Sequence, residues 1–286
     1  MWFDPQAVGV ALSPPALAVL GLLIGSFLNV VVHRMPLMME RAWRIDSADL
    51  LGVKIDETPP ITLSTPRSRC PSCGHHIRWY ENIPVVSYLV LRGKCSACKA
   101  PISMRYPAIE VATALLFAAC GLKFGAQPTV LLWCGLVATL IGLAFIDLDT
   151  TFLPDDLTLP LMWAGIVSAA LGWIPVTLAA SVGGAVLGYL SLWFVFHAYR
   201  IIRGKEGMGA GDFKLLAALG AWMGWQALPS IILLASAVGA VVGISLVVCR
   251  QHDRNVPIPF GPYLGGGGLA ALFCGEPLSR LWLPPV

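Results

Sequence analysis

Runs of about 20 apolar residues recur along this 286-residue chain, near positions 10–32, 106–124, 129–146, 157–173, 176–199, 212–225, 228–249 and 259–283. Runs of that length suit helices that cross a hydrocarbon layer about 30 Å thick. The fourth and sixth are short. Only 12% of residues are charged, against about 25% in an ordinary soluble domain. The fold class that follows is an all-α polytopic membrane protein with about eight transmembrane helices and one small polar insert. The first run lacks the basic leader of a signal peptide. It continues through Gly25-Ser-Phe-Leu-Asn29 into a basic loop, so it reads as a retained span.

The 19 Lys and Arg residues are unevenly placed. Eleven fall between Arg34 and Arg105, four at Arg200, Arg203, Lys205 and Lys214, and two at Arg250 and Arg254. With eight spans those seventeen share one face, which the positive-inside rule makes cytoplasmic, and both termini lie outside. Topology accounts for these charges, so the net charge of +3 gives no reason to expect nucleic acid as a partner. The partner implied is the lipid bilayer.

Three regions follow: a first transmembrane helix at 1–34, a cytoplasmic insert at 35–105, and a membrane core at 106–286. The insert has no long apolar run and carries Pro59, Pro60, Pro66, Pro71, Pro84 and Pro101. It is expected to be loop-rich, with short strands or turns. About 70 residues make a marginal core, which a metal staple would help. Cys70-Pro-Ser-Cys73 and Cys95-Ser-Ala-Cys98 supply one. Two thiolates on a tight turn, twice over, match the four-cysteine pattern of structural Zn2+. A reducing cytoplasm disfavours disulfides, and four thiolates close the ion against catalytic water. His75 and His76 read as loop residues, and Cys120, Cys134, Cys249 and Cys274 as small core residues.

Asp147 ends one apolar run, and Asp212 opens another behind Gly207, Gly209 and Gly211. Charge at membrane depth costs about 2.5–3.5 kcal/mol at a helix centre. A helix N-cap explains Asp212 about as well as a site does. Asp155 and Asp156 read better as caps after Pro154. Asp149, two residues beyond Asp147, points to another side of a continuing helix. The functional reading brings Asp147 and Asp212 together. Two acids sharing a site do not both ionise cheaply. One then takes a proton from water while the other donates to a scissile carbonyl. Gly209 and Gly211 would let a substrate backbone approach. Glu110 reads as a cap or interface residue, with a site role possible; Asn29 reads as an interhelical hydrogen-bond donor.

Several stretches together carry a resemblance that runs the length of the chain. They are 25–36 (GSFLNVVVHRMP), the two C-x-x-C pairs, Arg105-Tyr-Pro-Ala-Ile-Glu110, Asp147-Leu-Asp149 through Leu153-Pro-Asp155, Gly209-Ala-Gly-Asp-Phe-Lys214 and 257–262 (PIPFGP). The chain resembles the bifunctional type IV prepilin peptidases of bacterial inner membranes, which are membrane aspartic peptidases. The resemblance implies a multi-pass inner-membrane enzyme with its insert and active site on the cytoplasmic side. It implies cleavage of the basic leader of prepilins and type II secretion pseudopilins after a glycine, with Asp147 and Asp212 catalytic. It also implies N-methylation of the new terminus from S-adenosylmethionine, linked to the insert, with Gly93, Lys94 and Glu110 as candidates. There is no G-x-G-x-x-G after a strand to mark a methyl-donor site.

The acidic loop carries no Lys or Arg, so Asp149, Asp155 and Asp156 are expected to hold the basic leader. Two rival readings differ in kind. A cation transporter would use Asp147 and Asp212 as ion ligands, but the outer halves of the spans offer few polar partners. A pilus-assembly scaffold would tolerate Asp-to-Asn changes.

Overall fold

A computed structural model describes residues 5–54, 59–205, 207–249 and 258–279. Arg250, Arg254, Arg280, Pro257 and the end of the last apolar run at 280–283 lie outside the described residues. Among the described residues ten α-helices run in order: α1 (Pro5–Ala11), α2 (Pro14–Leu51), α3 (Val86–Val90), α4 (Arg105–Phe124), α5 (Val130–Thr150), α6 (Asp155–Ala170), α7 (Leu178–Arg203), α8 (Ala210–Met223), α9 (Leu228–Val248) and α10 (Gly261–Ser279). No strand occurs among the described residues, only isolated bridges.

Eight of these helices fall on the eight apolar runs. Among the described residues five are long and apolar enough to cross a membrane: α2, α4, α5, α7 and the stretch Trp225–Leu246 that overlaps α9. At 16 and 14 residues, α6 and α8 span only about 24 and 21 Å at 1.5 Å per residue.

The first part of the insert, expected to be loop-rich, is helical to Leu51. Helix α2 does not stop before Pro36 but runs through it for 38 residues, about 57 Å and well beyond a hydrocarbon layer. The stretch after Pro36 is rich in Leu, Met, Glu and Arg, good helix formers that carry the helix on. Gly52, left-handed at φ 65°, ends it. The expected short strands of the insert reduce to two bridges, Arg69 with His76 and Lys94 with Pro101.

The chain forms two compact units, Met1–Gly142 and Leu143–Val286. In the first, α2 packs on α4. Gly21 and Gly25, one turn apart, lie against the backbone at Ala114 and Glu110, where a Cβ would come within 2.6 and 2.7 Å. Small residues at this spacing let membrane helices approach closely. Asn29 adds the expected interhelical bond, donating to the Tyr106 carbonyl at 3.2 Å.

In the second unit α8 is central, packed on α6, α7 and α10. Every residue from Leu215 to Trp222 is buried, as a helix apolar all round requires. Polar ties lock it in place: Ser181 donates to the Ala221 carbonyl at 2.7 Å, and the Trp222 indole to the Leu161 carbonyl at 2.8 Å. The glycine run 265–268 stays helical and serves close approach, with Gly267 against Ile231 and Gly268 against Leu219. Helical geometry breaks later, at Cys274. Cys120 and Cys134 are buried as core residues, but Cys249 and Cys274 are exposed; the core expectation fails for them because they sit on outward faces.

Candidate active site

Four chain segments of the second unit converge on Asp147. It lies in the last turn of α5 and is only 4% exposed, whereas Asp149, two positions on, faces outward. The 3.6-residue period requires that divergence. Thr151, left-handed at φ 54°, ends α5 and donates its N–H to the Asp147 carbonyl at 2.7 Å. The chain then turns through Leu153, which is buried.

Asp212 is also buried, at 7% exposure, and lies within Coulombic reach of Asp147. It is not the N-cap of α8. Gly209 holds that position, and Asp212 is the third residue of the helix. Its N–H donates to the Gly209 carbonyl at 3.3 Å. Gly209 sits in extended backbone that any residue adopts, and as a glycine it places no side chain over the approach to Asp212. Gly211 is constrained differently: a Cβ there would stand 2.7 Å from Leu153 Cβ.

The fourth segment went unread in the sequence. Gly261, the first residue of α10, donates its N–H to Asp147 Oδ2 at 2.8 Å, in a buried position. A Cβ on Gly261 would fall 2.7 Å from that oxygen and 3.2 Å from Leu153 Cδ2. Leu153 thus lies between the glycines that open α8 and α10. The 257–262 stretch flags Gly261 only as a glycine; no sequence signal assigns a role to its amide.

The acidic loop differs from expectation in two respects. Asp155 and Asp156 do not cap α6, since Pro154 holds the N-cap position and both acids lie in the first turn, where they suit the helix dipole. Asp155 also has a cation: Lys214 Nζ reaches its two oxygens at 2.6 and 2.7 Å. Lys214, 59 residues away, is therefore not simply solvated.

In the first unit the four cysteines Cys70, Cys73, Cys95 and Cys98 bring their sulfurs within 4.8 Å of one another. Cys70 Sγ and Cys98 Sγ are 3.8 Å apart. Tetrahedral bonds of about 2.3 Å place ligand sulfurs about 3.8 Å apart, so the group fits an ion. The backbone amides of Cys73 and Ser72 pull the Cys70 thiol down to about 6, and those of Cys98 and Ala97 lower Cys95. Cys73 receives the His75 amide, yet the sulfurs of Cys98, Cys70 and Cys95 push it up to about 11. Four thiolates crowded this way call for a cation. Gly74 and Lys99 close the two turns in the left-handed conformation. His75 turns away to Glu81, at 3.3 Å.

Gly93, Lys94 and Glu110 hold structural contacts. Gly93, at φ 65°, lies under Tyr88, whose ring a Cβ would strike. Lys94 bridges Pro101 and is exposed. Glu110, 8% exposed, accepts the Val85 N–H at 2.7 Å. Below α3 a cleft of about 580 Å3 opens among His75, Arg78, Tyr80, Glu81, Ile83 and Leu91.

Comparison with known proteins adds to this geometry. Residues 19–124 match the bacterial peptidase A24 N-terminal domain, and residues 134–244 the type IV leader peptidase family. A prepilin leader peptidase/N-methyltransferase from Aeromonas hydrophila is 51% identical over 265 residues, covering 92% of this chain and 91% of the relative. Proteins of the same description from Pseudomonas aeruginosa and Pseudomonas putida are 51% and 49% identical, over 92% and 90% of the chain and 91% and 89% of their own lengths. No solved structure matches. Two buried aspartates beside a glycine-framed helix entrance thus sit in a chain that belongs to the type IV leader peptidase family.

Proposed function

We propose that this chain removes the basic leader from type IV prepilins and type II secretion pseudopilins, cutting after a glycine, and N-methylates the terminus so exposed. The observation that carries the peptidase half is the pair of buried carboxylates, Asp147 and Asp212, within Coulombic reach of one another. One carboxylate takes a proton from water, which attacks the scissile carbonyl. The other donates a proton to the carbonyl oxygen. The Gly261 amide occupies one oxygen of Asp147, so the other is the one presented to water. Gly209 leaves room for the substrate backbone, whereas the space beside Gly211 is taken by Leu153. Leader removal by Asp147→Asn and Asp212→Asn variants tests the assignment, and full processing by either one sinks it.

In this reading eight helices sit in a bacterial inner membrane, with the insert and active site cytoplasmic. The acids Asp149, Asp155 and Asp156 meet the leader. Because Lys214 already neutralises Asp155, a leader cation must displace it there; Asp149 lies at the end of α5 and Asp156 at the start of α6, both exposed. Neutralising all three is expected to raise KM for a basic-leader prepilin several-fold with little change in kcat. An unchanged KM removes them from substrate binding.

The cysteine cluster is assigned to structural Zn2+, held by Cys70, Cys73, Cys95 and Cys98. Replacing Cys70 and Cys73 by Ser is expected to release the metal and to lower methylation more than cleavage. Metal analysis of the purified variant decides this; unchanged zinc content overturns the assignment. S-adenosylmethionine supplies an electrophilic methyl group to the new amine. Gly93 and Glu110 stay candidates for the methyl-transfer half through their contacts with Tyr88 and Val85, and Lys94 stays the exposed candidate for contact with the incoming terminus.

A further inference from the structure

Outside the five membrane-crossing helices, one part of the insert exposes large apolar side chains in a group. Trp79 is 81% exposed, Leu89 68% and Val90 74%, with Tyr80 and Val86 also exposed. They belong to α3 and the 3-10 turn Trp79–Asn82 before it. Five residues of helix neither span a bilayer nor persist alone.

Helix α3 is not projected into solvent. Its leading residue, Val85, donates to Glu110 at 2.7 Å, and the Tyr88 hydroxyl donates to Met104 Sδ at 2.8 Å. Met104 directly precedes α4, and Glu110 lies five residues inside it, about 7.5 Å along the axis. The tether holds a strained residue: Val85 is β-branched yet sits at φ 60°. Such a residue persists only where its surroundings over-determine it. The α3 face is thus pinned beside the end of a membrane-crossing helix.

We infer that the Trp79-Tyr80 turn and the outer face of α3 rest on the bilayer surface, against anionic lipid headgroups. Segments that lie in the interface bury their apolar face about 5–10 Å into the headgroup boundary and carry Lys and Arg around it. The charge fits. Residues 77–105 contain Arg78, Arg92, Lys94, Lys99 and Arg105 against a single acid, Glu81. That acid is engaged by His75 and the Arg78 N–H. Trp and Tyr are the residues that gather at membrane interfaces. A second copy of the chain is the weaker occupant. Specific protein interfaces bury about 800 Å2 on each partner, more than five helical residues and a turn present. The seat rests on this geometry alone. Its use rests on the function proposed above, because it holds the cysteine knuckle at the level where a freed pilin terminus leaves the membrane.

The test uses the full-length protein in vesicles containing phosphatidylglycerol. The emission lost in Trp79→Phe isolates the Trp79 signal. That signal is expected to be quenched several-fold more by lipid brominated near the headgroup than by lipid brominated at the chain end, and to be shielded from aqueous iodide. Replacing Leu89 and Val90 together by Asp lifts the face, and iodide quenching of Trp79 then rises several-fold. Iodide quenching in the parent protein with no bromolipid effect overturns the seat. Shielding from both quenchers also overturns it, because a protein partner then covers the face. So does a double Asp variant with unchanged iodide access.

Discussion

Asp212→Asn and Asp147→Asn are each expected to lower the rate of prepilin cleavage by about 10⁴-fold, roughly 5.4 kcal/mol of barrier at 1.36 kcal/mol per tenfold. The amide is nearly isosteric with the acid, so the burial of both residues remains compatible with folding. What is lost is the ability to take or give a proton at that atom. The two acids act on one water and one carbonyl, so their effects are not additive: the double variant is expected to be no slower than either single one. Methylation of an already mature pilin is expected to persist in all three, since the cysteine insert lies in the other unit. A scaffold would process normally in every variant. A transporter would lose ion flux and spare cleavage. Single losses that multiply in the double variant would mean that the acids act at separate steps.

Features of the fold set by local pattern are visible in the sequence. Among the described residues the apolar runs mark eight of the ten helices, and five of these are long and apolar enough to cross a membrane, a length and composition that lipid imposes together. The cysteine turns are visible because candidate ligands three positions apart constrain each other directly. Asp147 and Asp212 stand out through the cost of their position. What escapes is settled by contacts between distant residues or by backbone atoms. The stretch from 35 on reads as a loop-rich insert, yet α2 continues to Leu51 because strong helix formers follow Pro36. Lys214 and Asp155 carry no joint signal over 59 positions, although they form a close ion pair. Asp212 reads as a cap because Asp is a good cap, but Gly209 takes that place and turns the acid inward as the third helical residue. The Gly261 contact is the least legible, because the contributing group is an N–H that every residue but proline has.

Gly261→Ala is expected to lower kcat for leader cleavage about 100-fold, the scale of loss that a displacement of about 1 Å at a reacting group produces. The new methyl group would stand 2.7 Å from Asp147 Oδ2 and 3.2 Å from Leu153 Cδ2, so the carboxylate must rotate away. Rotation breaks the 2.8 Å bond from the Gly261 amide and moves the oxygen that faces the water. The leader meets other residues in this reading, so KM is expected to stay within about two-fold, the pattern of an interaction felt in the transition state alone. A merely destabilised protein would lose active enzyme and methylation together, whereas here methylation of mature pilin is expected to be retained. Shortening the wedge offers a second check. Leu153→Ala in the Gly261→Ala background frees space on one side of the methyl group, letting the start of α10 shift and recover part of kcat. Normal kcat in Gly261→Ala would show that the amide contact has no part in orienting Asp147. A loss that Leu153→Ala only deepens would place the strain elsewhere.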